Sequence, residues 1–385
     1  MEGLRQRYEE RGRDLEVDWL DLPERVLFLK LLASMAAGAP PDVVNVGTGE
    51  AWQLASRGAL VPTDGVVGEV ERARYFPQLW SSVRVRGRDH VIPWYVSIRL
   101  LMYNKRIFRE AGLDPARPPR TWDDIEAMAR AIRKTGQYGF LPEIRMLDDW
   151  QMDGLPLLTP PAVGGDPTGE TRRAAFATPA YAERLEWYAR LYRDDIIPPE
   201  TLTGGYPEAV RRYKEGRLAM LLTGPQFLLS IRQDAPDVYA STGVAALPRG
   251  KAGIVPAAVM HLVIPTGARD PAAAAGLALF VTHPDNQLAL CRLVPVLPST
   301  VETTRDPHFT RGEGKFPLDD EAIRIDAEQL PFARDLNPAL PRQEVLNRIL
   351  DDAVASVLQG RVAALPALQQ AARSWDDVLS KGGEP

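Results

Sequence analysis

Cysteine is almost absent from this sequence of 385 residues, which contains only Cys291. A single cysteine excludes an intramolecular disulfide and any metal site built from several cysteines. Apolar runs are short as well, and none approaches the roughly 18 residues that a membrane-spanning helix needs. The opening residues, MEGLR, lead directly into a charged helix, so we expect no export signal within this sequence.

Catalytic and metal-binding motifs are also scarce. The sequence has no G-x-S-x-G elbow and no Walker loop, and most of its paired carboxylates lie at predicted helix ends, where they complement the helix dipole. We therefore expect a protein that is not an enzyme and has no cofactor or bound metal. A glycosidase is the enzymatic alternative, and it would need two carboxyl groups roughly 5–10 Å apart at a sugar site. The four histidines lack the spacings of zinc sites: they are His90, His261, His283 and His308.

Length and charge narrow the class of protein further. A chain of 385 residues exceeds one ordinary hydrophobic core, so we expect two domains. The formal net charge of −5 argues against a nucleic acid or an anionic membrane as partner, because both attract clustered basic surfaces. Short apolar runs alternate with amphipathic helical segments along the chain, which predicts an α/β fold with central sheets.

The clearest local signals lie in the first third of the chain. Val96–Met102 is mostly apolar and has the length of a buried strand. A short helix is predicted at Lys105–Ala111, and after a proline-rich bend Thr121 and Asp124 have the spacing of a helix N-cap pair. Arg99 lies inside the predicted strand and needs a partner if it is buried, which is either a protein carboxylate or a ligand anion.

The rest of the chain alternates between strand and helix patterns. We predict further strands at residues 15–19, 42–46, 83–85, 90–92, 138–141, 218–222, 243–247 and 259–264. We predict further helices at residues 3–11, 22–37, 50–57, 75–82, 178–192, 207–215, 271–280 and 285–293, a helix ending at residue 232, and only helices from Glu321 onwards. A tight loop is predicted at residues 47–49, and a longer one at residues 147–169.

Several phrases of the sequence resemble one known family. "PDVV" occurs near residue 42, "YNK", "AGLD" and "TWDD" follow within residues 103–124, and "YKEGRLAMLLTGPQ" spans residues 213–226. Their order and spacing, between Trp19 and Trp375, resemble the extracellular solute-binding proteins of bacterial ABC importers, in the branch mostly used for sugars. The resemblance implies a two-lobe periplasmic-binding-protein-like fold (type II), in which each lobe has a central sheet flanked by helices and hinge crossings join the lobes.

The resemblance also implies the division of the chain and its role. Lobe 1 would contain residues 1–98 and 260–315, and lobe 2 residues 99–259 and 316–385. The protein would bind a carbohydrate or related polyol in the cleft between the lobes and deliver it to ABC permease subunits by hinge closure. It would act as a monomer outside the cytoplasmic membrane, in the periplasm or as a cell-surface lipoprotein. The family's first strand has no counterpart here, so we expect an upstream start, and without that strand an unpaired edge inside the sheet.

Nine residues are candidates for contacting such a ligand. A sugar presents apolar C–H faces and hydroxyl groups, so its site needs aromatic rings together with planar donors and acceptors. In an α/β protein such groups are expected beyond the ends of strands. Thr48, Gly49, Glu50 and Gln226 follow predicted strands, and Trp150 lies in the predicted loop at residues 147–169. The candidates just before or within the strands predicted to cross between lobes are Trp94, Tyr95, Ser97 and His261.

Most of these candidates have a structural alternative. A helix-capping turn accounts equally well for residues 48–50. Core packing is the alternative for Trp94 and Tyr95, and anchoring of a loop is the alternative for Trp150. His261 fits a buried core position better than a ligand contact. These alternatives stay open at the level of the sequence.

The chemistry of the ligand is open as well. Gln226 stands where the resembling family often has a stacking tryptophan, which implies a smaller or more polar ligand than an oligosaccharide. An anionic solute such as a glycerol phosphate is the main alternative, and it would need Arg99, Arg145 or His261 as a partner. A ligand sensor for a receptor is a further alternative that the sequence does not distinguish from a transporter component.

Overall fold

The computed structural model divides the chain into two compact units. Unit 1 contains Met1–Ser97 and Ala258–Thr310, and unit 2 contains Ile98–Ala257 and Arg311–Pro385. The chain therefore passes between the units three times. The residues that the structure describes are 2–10, 16–22, 24–143, 158–159, 173–250, 253–335, 340 and 342–381.

Helices and short strands alternate along the described residues. The helices are α1 Glu2–Glu9, α2 Glu24–Ala36, α3 Thr48–Ser56, α4 Glu69–Arg72, α5 Pro77–Trp80, α6 Lys105–Glu110, α7 Trp122–Arg133, α8 Pro179–Arg193, α9 Gly205–Lys214, α10 Phe227–Asp234, α11 Pro236–Ala240, α12 Pro271–Val281, α13 Pro284–Leu293, α14 Pro317–Gln329, α15 Gln343–Leu358 and α16 Ala364–Lys381. The strands are β1 Val44–Gly47, β2 Arg84–Val85, β3 Arg88–Asp89, β4 Ile92–Ile98, β5 Leu100–Asn104, β6 Leu158–Thr159, β7 Arg173–Ala174, β8 Met220–Thr223, β9 Thr242–Ala246, β10 Val255–Val263, β11 Leu297–Pro298 and β12 Ala333–Arg334.

The sheet of unit 1 is built around β10. Its strand order is β1-β10-β4-β11, with β1 and β11 antiparallel to their neighbours. Successive residues of β10 pack on opposite faces, so that Val263 joins α2 and α3 whereas Leu262 joins α12. The first residues of β10 belong to unit 2, where Val255 pairs with Ala333 of β12. Helices therefore cover the strands of unit 1 on both faces.

The sheet of unit 2 has β5 at its centre, between β8 and β9, and all pairs are antiparallel. Every residue of β5 is buried. Leu100 and Met102 pack against α9, α10 and α14, whereas Leu101 and Tyr103 pack against α6, α7, α8, α15 and α16. A strand that is covered on both faces has no polar side, which is why this segment reads as an apolar run in the sequence.

The strongest local signals are confirmed. Thr121 Oγ1 accepts a hydrogen bond from the Asp124 backbone N–H at 3.1 Å, and the Asp124 carboxylate accepts one from the Thr121 N–H at 2.9 Å. This reciprocal arrangement is a capping box, and it starts α7 at Trp122. The helix predicted at residues 178–192 is confirmed as α8, and α15 and α16 lie in the region predicted to be helical after Glu321.

The single strand predicted at Val96–Met102 is wrong. β4 ends at Ile98 and β5 begins at Leu100, and the two strands belong to the sheets of different units. Arg99 lies at the break. An apolar run does not reveal where the chain leaves one sheet for another, because the strands on both sides of the break are buried.

Two other predicted strands are wrong as well. Residues 16–19 alternate between buried and exposed side chains but have no strand partner among the described residues, and residue 15 lies outside them. At residues 138–141 only Tyr138 forms an isolated bridge, with Leu218. Alternation of side chains predicts which face is buried, whereas a strand also requires a neighbouring backbone.

The predicted connections also differ from the structure. The tight loop at residues 47–49 is wrong, because α3 begins at Thr48 directly after β1. The strand predicted at residues 90–92 is displaced, because β3 is Arg88–Asp89 and pairs with β2 across a turn of Arg86 and Gly87. The region after Glu321 is not only helical, because it contains β12. In the described part of the unit 1 sheet, β1 lies at one end and has β10 as its one strand neighbour, and the expectation of an unpaired edge stays a prediction.

Candidate ligand-binding residues in the two units

Thr48, Gly49 and Glu50 form the first turn of α3, immediately after β1. Thr48 is buried, and the other two residues are half-buried. A Cβ at Gly47 would lie 2.8 Å from Glu50 Oε2, so the carboxylate lies against the N-cap residue of the helix. Negative charge is favourable there because it complements the helix dipole. The capping alternative therefore accounts for the position of Glu50.

His261 connects β10 to this turn. It lies opposite Val46 in the ladder between β1 and β10 and is fully buried. Its Nε2 atom is 2.9 Å from Thr48 Oγ1 and 3.2 Å from Ser82 Oγ. Burial lowers the pKa of His261 to about 3, because the charged ring would lose its hydration. Thr48, Ser82 and His261 thus form a neutral polar group, which we call the histidine cluster.

The aromatic candidates of unit 1 lie in β4. Trp94 is buried, and its ring packs edge-on against Trp19 at 6.4 Å and Tyr95 at 5.2 Å between centroids. Its surroundings are apolar side chains of the core, as the packing alternative predicts. Tyr95 is half-buried and lies opposite Pro298 of β11, and Ser97 is also half-buried. These two side chains are more accessible than Trp94.

A second polar group lies in unit 2, at the beginning of β5. Arg99 Nη2 donates a hydrogen bond to Glu143 Oε2 at 2.9 Å. Glu143 is only 6 % exposed, so its charge depends on this cation for stabilisation. The structure therefore confirms that a protein carboxylate holds Arg99, which was one of the two partners predicted for it.

Tyr206 and Thr223 complete the polar group around Arg99. Thr223 ends β8, and the hydroxyl of Tyr206, from the first turn of α9, hydrogen-bonds to its Oγ1. Burial is the main cause that raises the pKa of Tyr206, and the negative charge of Glu143 raises it further. The hydrogen bond with Thr223 and the positive charge of Arg99 both lower the pKa. Tyr206 is therefore within electrostatic range of both members of the ion pair. We call Arg99, Glu143, Tyr206 and Thr223 the arginine cluster.

The loop that follows Thr223 adds an amide and a second aromatic ring. Gln226 is half-buried, and a Cβ at Gly224 would collide with its Oε1 atom. Glycine therefore allows the Gln226 side chain to fold back over the loop. Phe227, the next residue, packs edge-on against Tyr206 with 5.2 Å between ring centroids. Both rings are half-buried, and such pairs offer apolar edges beside hydrogen-bonding groups.

Trp150 and Arg145 lie outside the described residues, so the structure does not address these two candidates. Sequence reasoning missed the four other polar side chains of the clusters, which are Ser82, Glu143, Tyr206 and Thr223. The sequence contains an indirect signal for Glu143 alone, because a buried Arg99 needs an acidic partner. Nothing local identified Glu143, which lies 44 positions further along the chain.

The sequence matches one protein family over most of its length. Residues 1–288 match the family described as bacterial extracellular solute-binding protein. The chain belongs to this family. Residues of the histidine cluster and of the arginine cluster lie within the matched residues 1–288. Both clusters therefore belong to the part of the chain that matches the solute-binding family.

Relatives of this solute-binding protein cover much of the chain. One similar crystal structure is of a Synechococcus sp. MITs9220 protein that is provisionally named an oligosaccharide periplasmic-binding protein. Its sequence is 31 % identical, its TM-score is 0.86, and the match covers 99 % of this chain and 95 % of the Synechococcus chain. The sn-glycerol-3-phosphate-binding periplasmic protein of Escherichia coli K12 is 24 % identical over 91 % of this chain and 82 % of its own. The mannitol-binding protein of Pseudomonas aeruginosa is 25 % identical over 65 % of this chain and 57 % of its own.

These similarities confirm the predicted fold class of the solute-binding protein, α/β with the two-lobe architecture of periplasmic binding proteins. The relatives are named as binding proteins rather than enzymes. Among the described residues, no group of three or more His, Cys, Asp or Glu side chains is arranged to hold a metal ion. In the described part of the chain, no helix has both the length and the apolar character needed to span a membrane.

Proposed function

We propose that this solute-binding protein binds a neutral carbohydrate or polyol and delivers it to the permease of an ABC importer. Membership in the family supports the binding role. The names of the Synechococcus and Pseudomonas relatives, which refer to an oligosaccharide and to mannitol, support a polyhydroxylated ligand. The family and a periplasmic relative support action outside the cytoplasmic membrane. We also propose that the protein is a monomer, which light scattering after size-exclusion chromatography would test.

The main support for a neutral ligand is that the charges within each of the two clusters are balanced. His261 is uncharged near neutral pH, because burial lowers its pKa to about 3. Arg99 is the cation of the arginine cluster, and Glu143 neutralises it at 2.9 Å. An anionic ligand would need an uncompensated cation to offset the loss of its hydration. A neutral polyol needs hydrogen bonds alone, which hydroxyl and amide groups supply.

The residues next to Thr223 support a small ligand with an apolar face. Tyr206 and Phe227 form a half-buried aromatic pair, and the C–H face of a sugar or polyol packs well on such rings. Gln226 adds an amide with two donors and an acceptor beside them. An amide at this position, rather than a large ring, favours hydrogen bonding over the stacking of several sugar units.

We propose ligand-driven closure of the two units as the mechanism. A ligand shifts a conformational equilibrium only by its difference in affinity for the two states. A shift from 1:99 to 99:1 requires about 5.5 kcal/mol of this difference. Small-angle X-ray scattering with and without saturating ligand would measure the shift. Identical scattering curves in the two conditions would contradict this mechanism.

A ligand panel tests the neutral character of the solute. We expect mannitol, maltose or another neutral member of a sugar and polyol panel to raise the melting temperature, because a ligand at about 100 times its Kd adds about 2.7 kcal/mol of stability. Isothermal titration should then show an affinity that depends little on salt. If sn-glycerol 3-phosphate is the one panel member that stabilises the protein, the proposal of a neutral ligand is wrong. A folded protein that no panel member stabilises would overturn the carbohydrate proposal.

Glu143→Gln separates neutral from anionic ligands more sharply. The variant keeps a hydrogen-bond acceptor for Arg99 but removes the negative charge of Glu143 beside it, so we expect weaker binding of the neutral ligand and new, salt-sensitive binding of sn-glycerol 3-phosphate. Arg117→Met is the matched control, because it removes only an exposed ion pair with Asp114. If the wild-type protein binds sn-glycerol 3-phosphate and Arg99→Met abolishes that binding, the arginine cluster is an anion site and the E. coli relative indicates the ligand class.

A further inference from the structure

Two hydroxyl groups share one nitrogen of a buried histidine in unit 1. His261 Nε2 is 2.9 Å from Thr48 Oγ1 and 3.2 Å from Ser82 Oγ. The other ring nitrogen, Nδ1, is buried and has no hydrogen-bond partner among the described residues. The position of the single ring proton therefore decides how all three side chains are paired.

The hydroxyl proton of Ser82 is already engaged. Ser82 Oγ donates to the backbone carbonyl of Leu79 at 2.8 Å, and a carbonyl is only an acceptor. Ser82 can therefore meet His261 only as an acceptor, which requires the ring proton to be on Nε2. With the proton on Nδ1 instead, the contact between Ser82 Oγ and Nε2 would bring two lone pairs together.

The same placement agrees with the burial of Nδ1. With the proton on Nε2, the buried Nδ1 is a bare acceptor, whereas the other tautomer would bury an N–H donor that has no partner among the described residues. Orphaned N–H donors are rarer in folded proteins than under-satisfied acceptors. The ring is neutral, because burial lowers the pKa of His261 to about 3 and no neighbouring charge contributes to that shift.

We propose that His261 is a positioning residue that donates its Nε2 proton to Thr48 and Ser82 and so makes Thr48 a hydrogen-bond donor towards the solute. Because the lone pair of Thr48 Oγ1 that faces His261 accepts the ring proton, the hydroxyl proton of Thr48 is directed away from the ring. Thr48 therefore meets any further group as a donor, and it selects an acceptor oxygen of the ligand. The step that involves the ligand rests on the proposed function, whereas the placement of the proton does not.

Nitrogen NMR tests the placement without any ligand. The wild-type protein, labelled with 15N at histidine, should show one neutral ring whose proton is on Nε2 from pH 8 down to pH 5. His261→Gln identifies this signal by its loss, and His283→Gln, at the start of α13, serves as the control. A His261 ring with its proton on Nδ1, or one that becomes charged in this range, would overturn the proposal whatever the protein binds.

A mutant cycle tests the positioning role. With mannitol or maltose as the probe, we expect Thr48→Val and His261→Phe each to weaken binding about tenfold, which is the value of one hydrogen bond. The double variant should bind no more weakly than Thr48→Val alone, because His261 acts through Thr48. His261→Gln, whose amide N–H can replace the donor, should retain most of the affinity.

The possible results separate the two proposals. Losses that add in the double variant would show that His261 acts independently of Thr48 and would overturn the positioning role. If His261→Phe does not fold, the NMR spectrum of the wild-type protein still decides the proposal, because a ring proton on Nδ1 contradicts it. If the folded wild-type protein binds neither probe, the proposed function and the ligand step fail together, while the NMR result still decides the position of the proton.

Discussion

Unit 1 and unit 2 each bury a glutamine, and the two glutamines differ in what surrounds them. Gln287 of α13 is 1 % exposed. Its amide nitrogen donates to the Thr282 carbonyl at 3.0 Å and to Ser299 Oγ at 2.8 Å, and its oxygen accepts from the Ser299 N–H at 2.8 Å and from Thr300 Oγ1 at 3.3 Å. Gln329 at the end of α14 is 2 % exposed, but neither amide atom has a partner among the described residues.

Asp326, one helical turn before Gln329, extends the contrast. It is buried, and neither carboxylate oxygen has a hydrogen-bond partner among the described residues. Burial raises the pKa of Asp326 well above its ordinary value, and the folded environment therefore favours the protonated carboxyl group. A buried polar group stabilises a fold only when it is hydrogen-bonded. The difference therefore predicts opposite effects for similar substitutions in the two units.

Gln287→Leu should have the largest effect. The substitution keeps a side chain of similar size but leaves the Ser299 N–H and the Thr282 carbonyl without their partner, whereas the Thr300 hydroxyl keeps its contact with Thr303. We expect the free energy of unfolding to fall by about 3 kcal/mol. Urea denaturation, monitored by circular dichroism, would measure this change. A loss below about 1 kcal/mol, within the usual range for a single hydrogen bond, would show that water replaces the amide and would remove the contrast between the units.

Arg99→Met should have the next largest effect, because it removes a cation that lies 2.9 Å from the buried carboxylate of Glu143. We expect a loss of about 2 kcal/mol near pH 7, from the same denaturation experiment. Adding Glu143→Leu should recover most of the loss, since the double variant has no buried charge to stabilise. A loss no greater than that of Arg117→Met, which removes an exposed pair, would mean that Glu143 is stabilised without Arg99.

Asp326→Asn should stabilise the protein, by about 2 kcal/mol at pH 6. In the folded protein the pKa of the carboxyl group is raised by burial, whereas in the unfolded chain the group ionises above its ordinary pKa of 3.8. Wild-type stability therefore falls as the pH rises from 3.8 towards the raised pKa, by up to about 1.4 kcal/mol per pH unit. Denaturation curves of both proteins between pH 3 and pH 7 should coincide at the acidic end and separate as the pH increases. A constant difference across this range would exclude Asp326 as the titrating group.

Gln329→Leu should have the smallest effect and the opposite sign to Gln287→Leu. Replacing a buried amide that has no partner with an apolar side chain removes a desolvation cost, so we expect a gain of about 0.5–1 kcal/mol. The two leucine variants should be measured side by side, because they make the same chemical change at equal burial. A loss above 1 kcal/mol at Gln329 would show that a residue outside the described ranges or a buried water holds the amide.

Most of the helices and several strands could be predicted from the sequence, because their signals are local. The Thr121 and Asp124 pair marks the start of α7, and the apolar periodicity of α8 needs no distant residue to be recognised. The predictions failed where an element depends on its neighbours. The segment at residues 16–19 has the alternation of a strand but no partner backbone, and the run at Val96–Met102 is divided between two sheets.

The candidate site could be predicted less well than the fold. Thr48 and His261 were both candidates, but nothing in the sequence indicated that they contact each other, since they are 213 positions apart. Tyr206 was not a candidate, because its contact with Thr223 joins residues that are 17 positions apart and no local pattern indicates it. The ligand-contacting roles of the nine candidates stay predictions, whereas their burial and partners are now defined for those that the structure describes.

The sequence by itself determined the residue types, the fold class and the secondary structure that local patterns encode, because these depend on side chains within one or two turns of each other. Only the tertiary structure decided which polar groups are paired. Strand register places His261 opposite Val46 and so beside Thr48, and the packing around β5 brings Glu143 to Arg99. Burial at this place, rather than residue type alone, leaves His261 uncharged near neutral pH, because it lowers the pKa of the ring to about 3.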